Sequence, residues 1–212
     1  MAISYQVKEG DCLSSIAFEQ GFFPDTIWNH SNNATLKEKR KDPNVLMQGD
    51  VVFVPDKRLK EVSEPTNQVH KFRIKNCPAK LSLRLLFNGE PRRSEAYTLD
   101  IDGTITNGTT DSDGNIKISI PPNAKRGKLE IGTNERQMTY NLKLGTLDPI
   151  AKISGVQSRL NNLGFACGRV DGILNPETKE ALQAFQVSVG VPPTGELDAA
   201  TKAKLFESYE RY

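Results

Sequence analysis

The chain has 212 residues, 37% of them hydrophobic and 25% charged, and 28 Lys+Arg against 26 Asp+Glu give a formal net charge of +2. That is a soluble globular composition, too close to neutral for a general nucleic-acid binder, which carries a basic excess against phosphates. No apolar run approaches the roughly 18 residues needed to span a bilayer, and Met1-Ala2-Ile3-Ser4-Tyr5 lacks the basic and apolar regions of a Sec signal, so neither membrane insertion nor Sec export is expected.

Texture changes twice along the chain. Residues 1–56 mix strand and helix patterns, 57–68 are charged and poor in apolar residues and read as a linker, 69–146 are strand-like, and 150–209 have helical periodicity. Residues 1–60 carry 8 basic and 8 acidic side chains, 61–148 carry 13 and 11, and 149–212 carry 7 and 7, so none of these segments is a charged tail. The expected fold class is therefore multidomain α+β. Cys12, Cys77 and Cys167 are widely spaced, odd in number and without a CxxC, which points to reduced thiols and not to a disulfide framework or a zinc site. His30 and His70 are the only histidines, so no metal or cofactor is expected.

In the first unit Tyr5-Gln6-Val7-Lys8 alternates as a short strand and Gly10 gives a turn. Asp11 can cap a helix whose Leu13, Ile16 and Ala17 share one face and which Gly21 stops. Pro24 suits the first turn of a second helix carrying Ile27 and Trp28 inward, and Val51-Val52-Phe53-Val54 closes a β-α-α-β order. Over residues 3–56 the run from Tyr5 to Ala17, together with Leu46-Met47-Gln48-Gly49-Asp50-Val51-Val52-Phe53-Val54-Pro55, resembles a LysM module. The resemblance implies binding of N-acetylglucosamine-containing glycans, in peptidoglycan or chitin, in a shallow groove between two loops. These loops are Gly10, Asp11, Cys12 and Leu13, and Asn44, Val45, Leu46 and Met47. Helix-start N–H groups and loop carbonyls can bond acetamido groups, and apolar side chains can support sugar faces. Cys12 stands where the family has Thr, and residues 32–43 lengthen the middle. Their basic run from Lys37 to Lys41 reads either as a solvated helical face or as a contact for anionic wall polymer or a protein partner.

The middle segment offers seven candidate strands, at 69–75, 81–87, 95–101, 104–110, 115–120, 127–131 and 137–144. Phe72 and Ile74, then Leu81, Leu83, Leu85 and Phe87, form the inward faces, and Asn88-Gly89, Asp102-Gly103, Asp113-Gly114 and Pro121-Pro122-Asn123 form turns. Such spacing indicates an all-β sandwich, and the stretch from Gly103 to Pro122 resembles immunoglobulin-like or transthyretin-like repeats, which imply a structural spacer. Asp111-Ser112-Asp113-Gly114 has the wrong spacing for a calcium loop and reads as a hairpin turn. Asn33-Ala34-Thr35 and Asn107-Gly108-Thr109 match the glycosylation sequon.

In the third unit Ile153, Val156, Leu160 and Leu163 form an apolar stripe. Asn175 and Pro176 open a second helix with Ala181, Leu182, Phe185 and Val189 buried, and Asp198 caps a third carrying Leu205. Over residues 153–207, Val156-Gln157-Ser158-Arg159-Leu160, Gly168-Arg169-Val170-Asp171-Gly172-Ile173, Ala184-Phe185-Gln186 and Thr194-Gly195-Glu196-Leu197-Asp198 together resemble the three-helix peptidoglycan-binding domain appended to many wall hydrolases. The candidate ligand contacts are Arg169, Asp171 and Gln186, while Asp171 itself, with Gly172, Thr178, Gly195 and Thr201, also reads as part of a repeated turn and cap.

Wall hydrolysis needs paired carboxylates, a ligated zinc or a Cys–His pair. The sole Cys/His combination in the middle segment is His70 with Cys77, which lacks an orienting third group, so no catalytic residue is assigned and a non-enzyme is expected. The first expectation is a peptidoglycan-binding protein with two wall-recognition modules held apart by a sandwich. The second comes from the layout, which resembles accessory proteins of bacterial contractile injection systems such as type VI secretion. It implies an adaptor that holds a spike or tube protein or a toxin effector, made in the bacterial cytoplasm without a Sec signal and delivered to the periplasm by the machine. A third is the anchoring subunit of a hydrolase supplied by another polypeptide.

Overall fold

The alternation around Tyr5 becomes β1 (Ile3–Gln6) in a computed structural model that describes residues 1–58, 63–71 and 78–210. β1 pairs antiparallel with β2 (Val51–Val54), Tyr5 opposite Val52, so the ends of this segment close on each other. Between them α1 (Leu13–Gln20) buries Leu13, Ile16 and Ala17 and ends at Gly21, whose φ of 70° is the left-handed conformation a Cβ would disfavour. α2 (Pro24–Trp28) starts on Pro24 and buries Ile27 and Trp28. These side chains meet Val7, Leu36, Leu46, Val52 and Val54 in a first hydrophobic cluster.

Two expectations need correction here. The residue at the α1 N-cap is Cys12, not Asp11: the Cys12 N–H donates to Ser15 Oγ (3.1 Å), and the Ser15 hydroxyl donates back to the Cys12 carbonyl (2.9 Å). The Asp11 carboxylate instead takes the Lys8 N–H at 2.9 Å and closes the turn at Gly10. The β-α-α-β order also gains a 3₁₀ turn (Ser31–Asn33) and α3 (Ala34–Arg40) before β2. Buried Asn33 explains why the inserted segment folds back. Its Nδ2 donates to the Ile27 and Phe53 carbonyls and its Oδ1 accepts the Phe53 N–H, each at 2.8 Å, so it acts as an extra ladder edge for β2. With its amide nitrogen enclosed in this way, the Asn33 sequon has no glycosylation acceptor in the folded chain.

The basic run is partly a brace. Arg40 Nε and Nη2 donate to the two oxygens of buried Asp50 at 2.6 and 2.8 Å, and Lys37 Nζ donates to Asn29 Oδ1 at 2.7 Å. Burial pushes the Asp50 carboxyl up, but the Arg40 guanidinium and the Met47 N–H pull it down by more, leaving it below the usual aspartate value. A folded-state pKa below the unfolded one means that Asp50 stabilises fully above pH about 4 and loses that contribution as pH falls through the folded value. Asp50→Asn is therefore expected to flatten the acid dependence below pH about 4 and to cost about 3 kcal/mol at neutral pH. Fluorescence of Trp28, the sole tryptophan, during acid and urea unfolding measures both.

The middle segment forms β3 (Ala79–Arg84), β4 (Leu86–Phe87), β5 (Glu90–Pro91), β6 (Ala96–Ile101), β7 (Thr104–Thr109), β8 (Asn115–Ile120), β9 (Arg126–Ile131) and β10 (Met138–Lys143). The order β10-β9-β6-β7 makes a four-stranded antiparallel sheet, while β3 pairs with β8 and β4 with β5. Leu99, Ile101, Leu129 and Ile131 from the larger sheet join Ile116 and Ile120 from β8 in a second cluster. Tyr97 faces Gly108 across β6–β7, and a Cβ at Gly108 would collide with its ring and hydroxyl. The strand expected at 81–87 begins earlier and breaks at Leu85, whose N–H turns to the Gly114 carbonyl (2.9 Å) and whose carbonyl accepts the Arg92 N–H (3.0 Å). Beyond that break Phe87 does not join the core. Its ring centroid lies 5.0 Å from Arg136 Cζ and 5.9 Å from Arg92 Cζ. The expected turn at Asp111 is present, its Oδ1 accepting the Asp113 and Asn115 N–H groups at 2.9 and 2.7 Å. Phe72, Ile74 and Cys77 lie outside the described residues, as does the 59–62 part of the linker.

α4 (Ile153–Asn162), α5 (Pro176–Ser188) and α6 (Ala199–Glu210) follow the expected stripes. Val156, Leu160, Ala181, Leu182, Phe185 and Leu205 meet in a third cluster with Cys167. The Asn175 side chain takes the Thr178 N–H (2.8 Å) and Asp198 takes the Thr201 N–H (2.7 Å), so both predicted caps form. Among the described residues the fold is thus mixed α and β, with six α-helices and small antiparallel sheets. No helix there is long and apolar enough to cross a membrane.

Candidate functional site

The two loops expected to flank a groove in the first segment do meet. The Leu13 N–H donates to the Pro43 carbonyl at 3.0 Å and the Ser14 hydroxyl to Asn44 Oδ1 at 3.2 Å, tying the start of α1 to the loop before β2. Leu13, Val45 and Leu46 are buried beneath these loops, as is Cys12, so they support the surface from within. Gly10, Asp11 and Met47 are half-buried and Asn44 is exposed. Ser14, beside Asn44 and half-buried, belongs to this edge and was missed in the sequence. Its signal was a hydroxyl two positions past the cap.

Asp11 is not an open acceptor. Its Oδ2 takes the Tyr5 hydroxyl and the Lys8 N–H, both at 2.9 Å, and Lys125 Nζ lies 3.5 Å from Oδ1. Burial, then the hydrogen bond to Asp11 and its charge, push the Tyr5 hydroxyl up to about 12.

In the third segment two glutamines organise matching loops. The Gln157 Nε2 donates to Asp171 Oδ1, the Ile173 carbonyl and Thr178 Oγ1 at 2.9–3.1 Å, and its Oε1 accepts the Asp171 and Gly172 N–H groups at 3.1 and 2.8 Å. The Gln186 Nε2 donates to Thr194 Oγ1, the Glu196 carbonyl and Thr201 Oγ1, and its Oε1 accepts the Gly195 N–H at 2.9 Å. Gln186 is 0% exposed, which corrects its reading as a ligand contact: its amide is fully used inside the fold. The sequence signal for this pairing was present in the two octets from Asp171 to Thr178 and from Thr194 to Thr201. Each has Gly second, Leu fourth, a capping Asn or Asp fifth and Thr last, and each is preceded by a Gln.

Asp171 is exposed but tethered. Its Oδ1 takes the Gln157 amide and the Ile173 N–H, and these two bonds, the glutamine's foremost, hold its carboxyl below the usual range. Around it Arg169 is exposed and Val170 and Ile173 stand out as apolar groups in solvent, Ile173 at 61% exposure. A fixed loop that offers one guanidinium and two apolar side chains can hydrogen-bond and support a polar polymer. Residues 151–205 match a family model, PG_binding_1, described as a peptidoglycan binding domain. The match runs from just before α4 into α6 and includes both glutamine-centred loops. No curated protein and no solved structure matches the chain.

In this peptidoglycan-binding domain Cys167 is enclosed, its thiol donating to the Gln157 carbonyl at 3.3 Å, and burial pushes the thiol pKa up. A raised, enclosed thiol is a poor nucleophile. Elsewhere, His70 Nε2 lies 2.7 Å from the Pro65 carbonyl oxygen. Among the described residues no group of three or more His, Cys, Asp or Glu is placed to hold a metal ion.

Proposed function

We propose that this chain is a non-catalytic peptidoglycan-binding protein with two wall-recognition modules. The C-terminal domain at 150–209 is one, and a LysM-like unit at 1–56 that takes N-acetylglucosamine-containing glycan is the other, with an immunoglobulin-like sandwich at 69–146 between them. The observation that carries this reading is the match of residues 151–205 to a binding domain. The exposed Arg169, Val170 and Ile173 on a loop held rigid by Gln157 support it. For the N-terminal unit the support is the meeting of its two loops through Leu13–Pro43 and Ser14–Asn44. Two weak sites on one polymer suit a linked chain, since the second acts at an effective concentration of about millimolar and raises avidity roughly 10²–10⁴-fold.

Co-sedimentation of the full chain with purified insoluble peptidoglycan tests the reading. Wild type is expected in the pellet. Arg169→Ala combined with Ile173→Ser, both exposed and therefore mild in their effect on folding, is expected to weaken retention about tenfold through loss of a charged hydrogen-bond donor and an apolar contact. A wild-type chain that stays in the supernatant would defeat the proposal. If that chain instead captured a spike or effector protein from its host, the function would move to an adaptor of a contractile injection system.

A further inference from the structure

We infer that Lys125 is a latch that holds the first glycan loop in a closed state, an inference that rests on the glycan-binding reading of residues 1–56. The Lys125 ammonium donates to the Gly10 carbonyl oxygen and lies 3.5 Å from Asp11 Oδ1. Both acceptors belong to the loop that opens α1, where a backbone carbonyl would otherwise receive the N–H of an acetamido group. With Tyr5, Lys8 and Lys125 around it, the Asp11 side chain is left 9% exposed. A ligand approaching this edge meets a carbonyl and a carboxylate that already have partners.

The lysine is aimed, not merely long. Its own N–H donates to Asp102 Oδ2 at 2.9 Å, the next N–H donates to Asp102 Oδ1 at 3.1 Å, and its carbonyl accepts the Leu144 N–H at 2.9 Å. Its backbone is thereby clamped between the β6–β7 turn and the end of β10. A second approach comes from the chain just past β10. A Cβ built on Gly145, whose φ is 69°, would stand 3.1 Å from the Gly10 oxygen, and one built on Gly10 would stand 3.8 Å from Thr146 Cγ2. Two separate parts of the middle segment thus close on one glycine, and the ammonium supplies the polar bond that keeps them there.

Lys125 is 43% exposed, so its pairing is partly screened and modest in strength. That suits a reversible latch: apparent affinity falls by the fraction of molecules with the loop open, and removing the ammonium raises that fraction. Lys125→Met keeps the aliphatic stem and deletes the charge. In the full chain this variant is expected to bind the N-acetylglucosamine tetramer about three- to tenfold more tightly by calorimetry. Hydrogen exchange of the amides from Lys8 to Ser14, without ligand, is expected to quicken by a similar factor. Unchanged exchange would show that Lys125 holds nothing. Faster exchange with equal or weaker tetramer binding would overturn the inhibitory role while leaving the glycan reading intact. If neither form bound the tetramer while exchange still quickened, the N-terminal glycan reading would fall and take the latch's inhibitory role with it.

Discussion

Glu95→Ala is expected to destabilise the middle segment by about 3–5 kcal/mol, because it would strand a buried cation. Arg92 is 0% exposed. Its Nε donates to Glu95 Oε2 at 2.9 Å, its Nη2 lies 2.7 Å from the same oxygen, and Nη2 also donates to the Arg136 carbonyl. The buried Nη1 has no hydrogen-bond partner among the described residues, and the Phe87 ring lies beside the guanidinium. Nothing in that arrangement replaces the carboxylate once it is gone. Glu95→Gln keeps an acceptor for the guanidinium but still removes its counter-charge, so it is expected to lose less than Glu95→Ala while remaining clearly destabilised. Hydrogen exchange of the β6 and β9 amides, which lie in the central strands of the larger sheet, measures both losses. A change under 1 kcal/mol in Glu95→Ala would mean that the surroundings relax to admit water to Arg92.

Gln157→Leu is expected to cost the C-terminal domain about 3 kcal/mol or more, since it removes the acceptor of the Asp171 and Gly172 N–H groups and the donor to the Ile173 carbonyl and the Thr178 hydroxyl. The same substitution should release the loop that carries Arg169 and Ile173. Retention on insoluble peptidoglycan is therefore expected to fall together with thermal stability. Gln186→Leu, which unsatisfies the loop at Thr194–Glu196 instead, is expected to destabilise comparably but to reduce retention less at a temperature where both variants are folded. Equal retention by the two variants would place the ligand surface elsewhere in the domain.

These two sites also mark where reading the residues in order fell short. Arg92 carries no signal in its neighbourhood that marks it as interior, and Gln186 reads as a ligand contact. Each is interior because segments far away in the chain close over it: Arg136 lies 44 residues beyond Arg92, and Thr201 lies 15 beyond Gln186. Asn33 is a third case, a sequon asparagine whose side chain is claimed by β2 some 20 residues later. The Asp11 cap failed for a local reason. Cys12 begins the helix one residue later, and the turn at Gly10 competes for the aspartate.

What the residues alone determined were the features whose physics acts within a few positions. The helical stripes of Leu13, Ile16 and Ala17 and of Val156 and Leu160, the caps at Asn175 and Asp198, and the turn at Asp111 all formed as read. So did the repeated Gly-x-Leu-x turn that accompanies the peptidoglycan-binding match. Only the tertiary structure decided which polar side chains are interior braces and which face solvent, and that Lys125 ends at Gly10, 115 residues away. Periodicity and capping are set by backbone geometry over one or two turns. The burial of a charge or an amide depends on what packs over it, and that is known only once the distant elements have met.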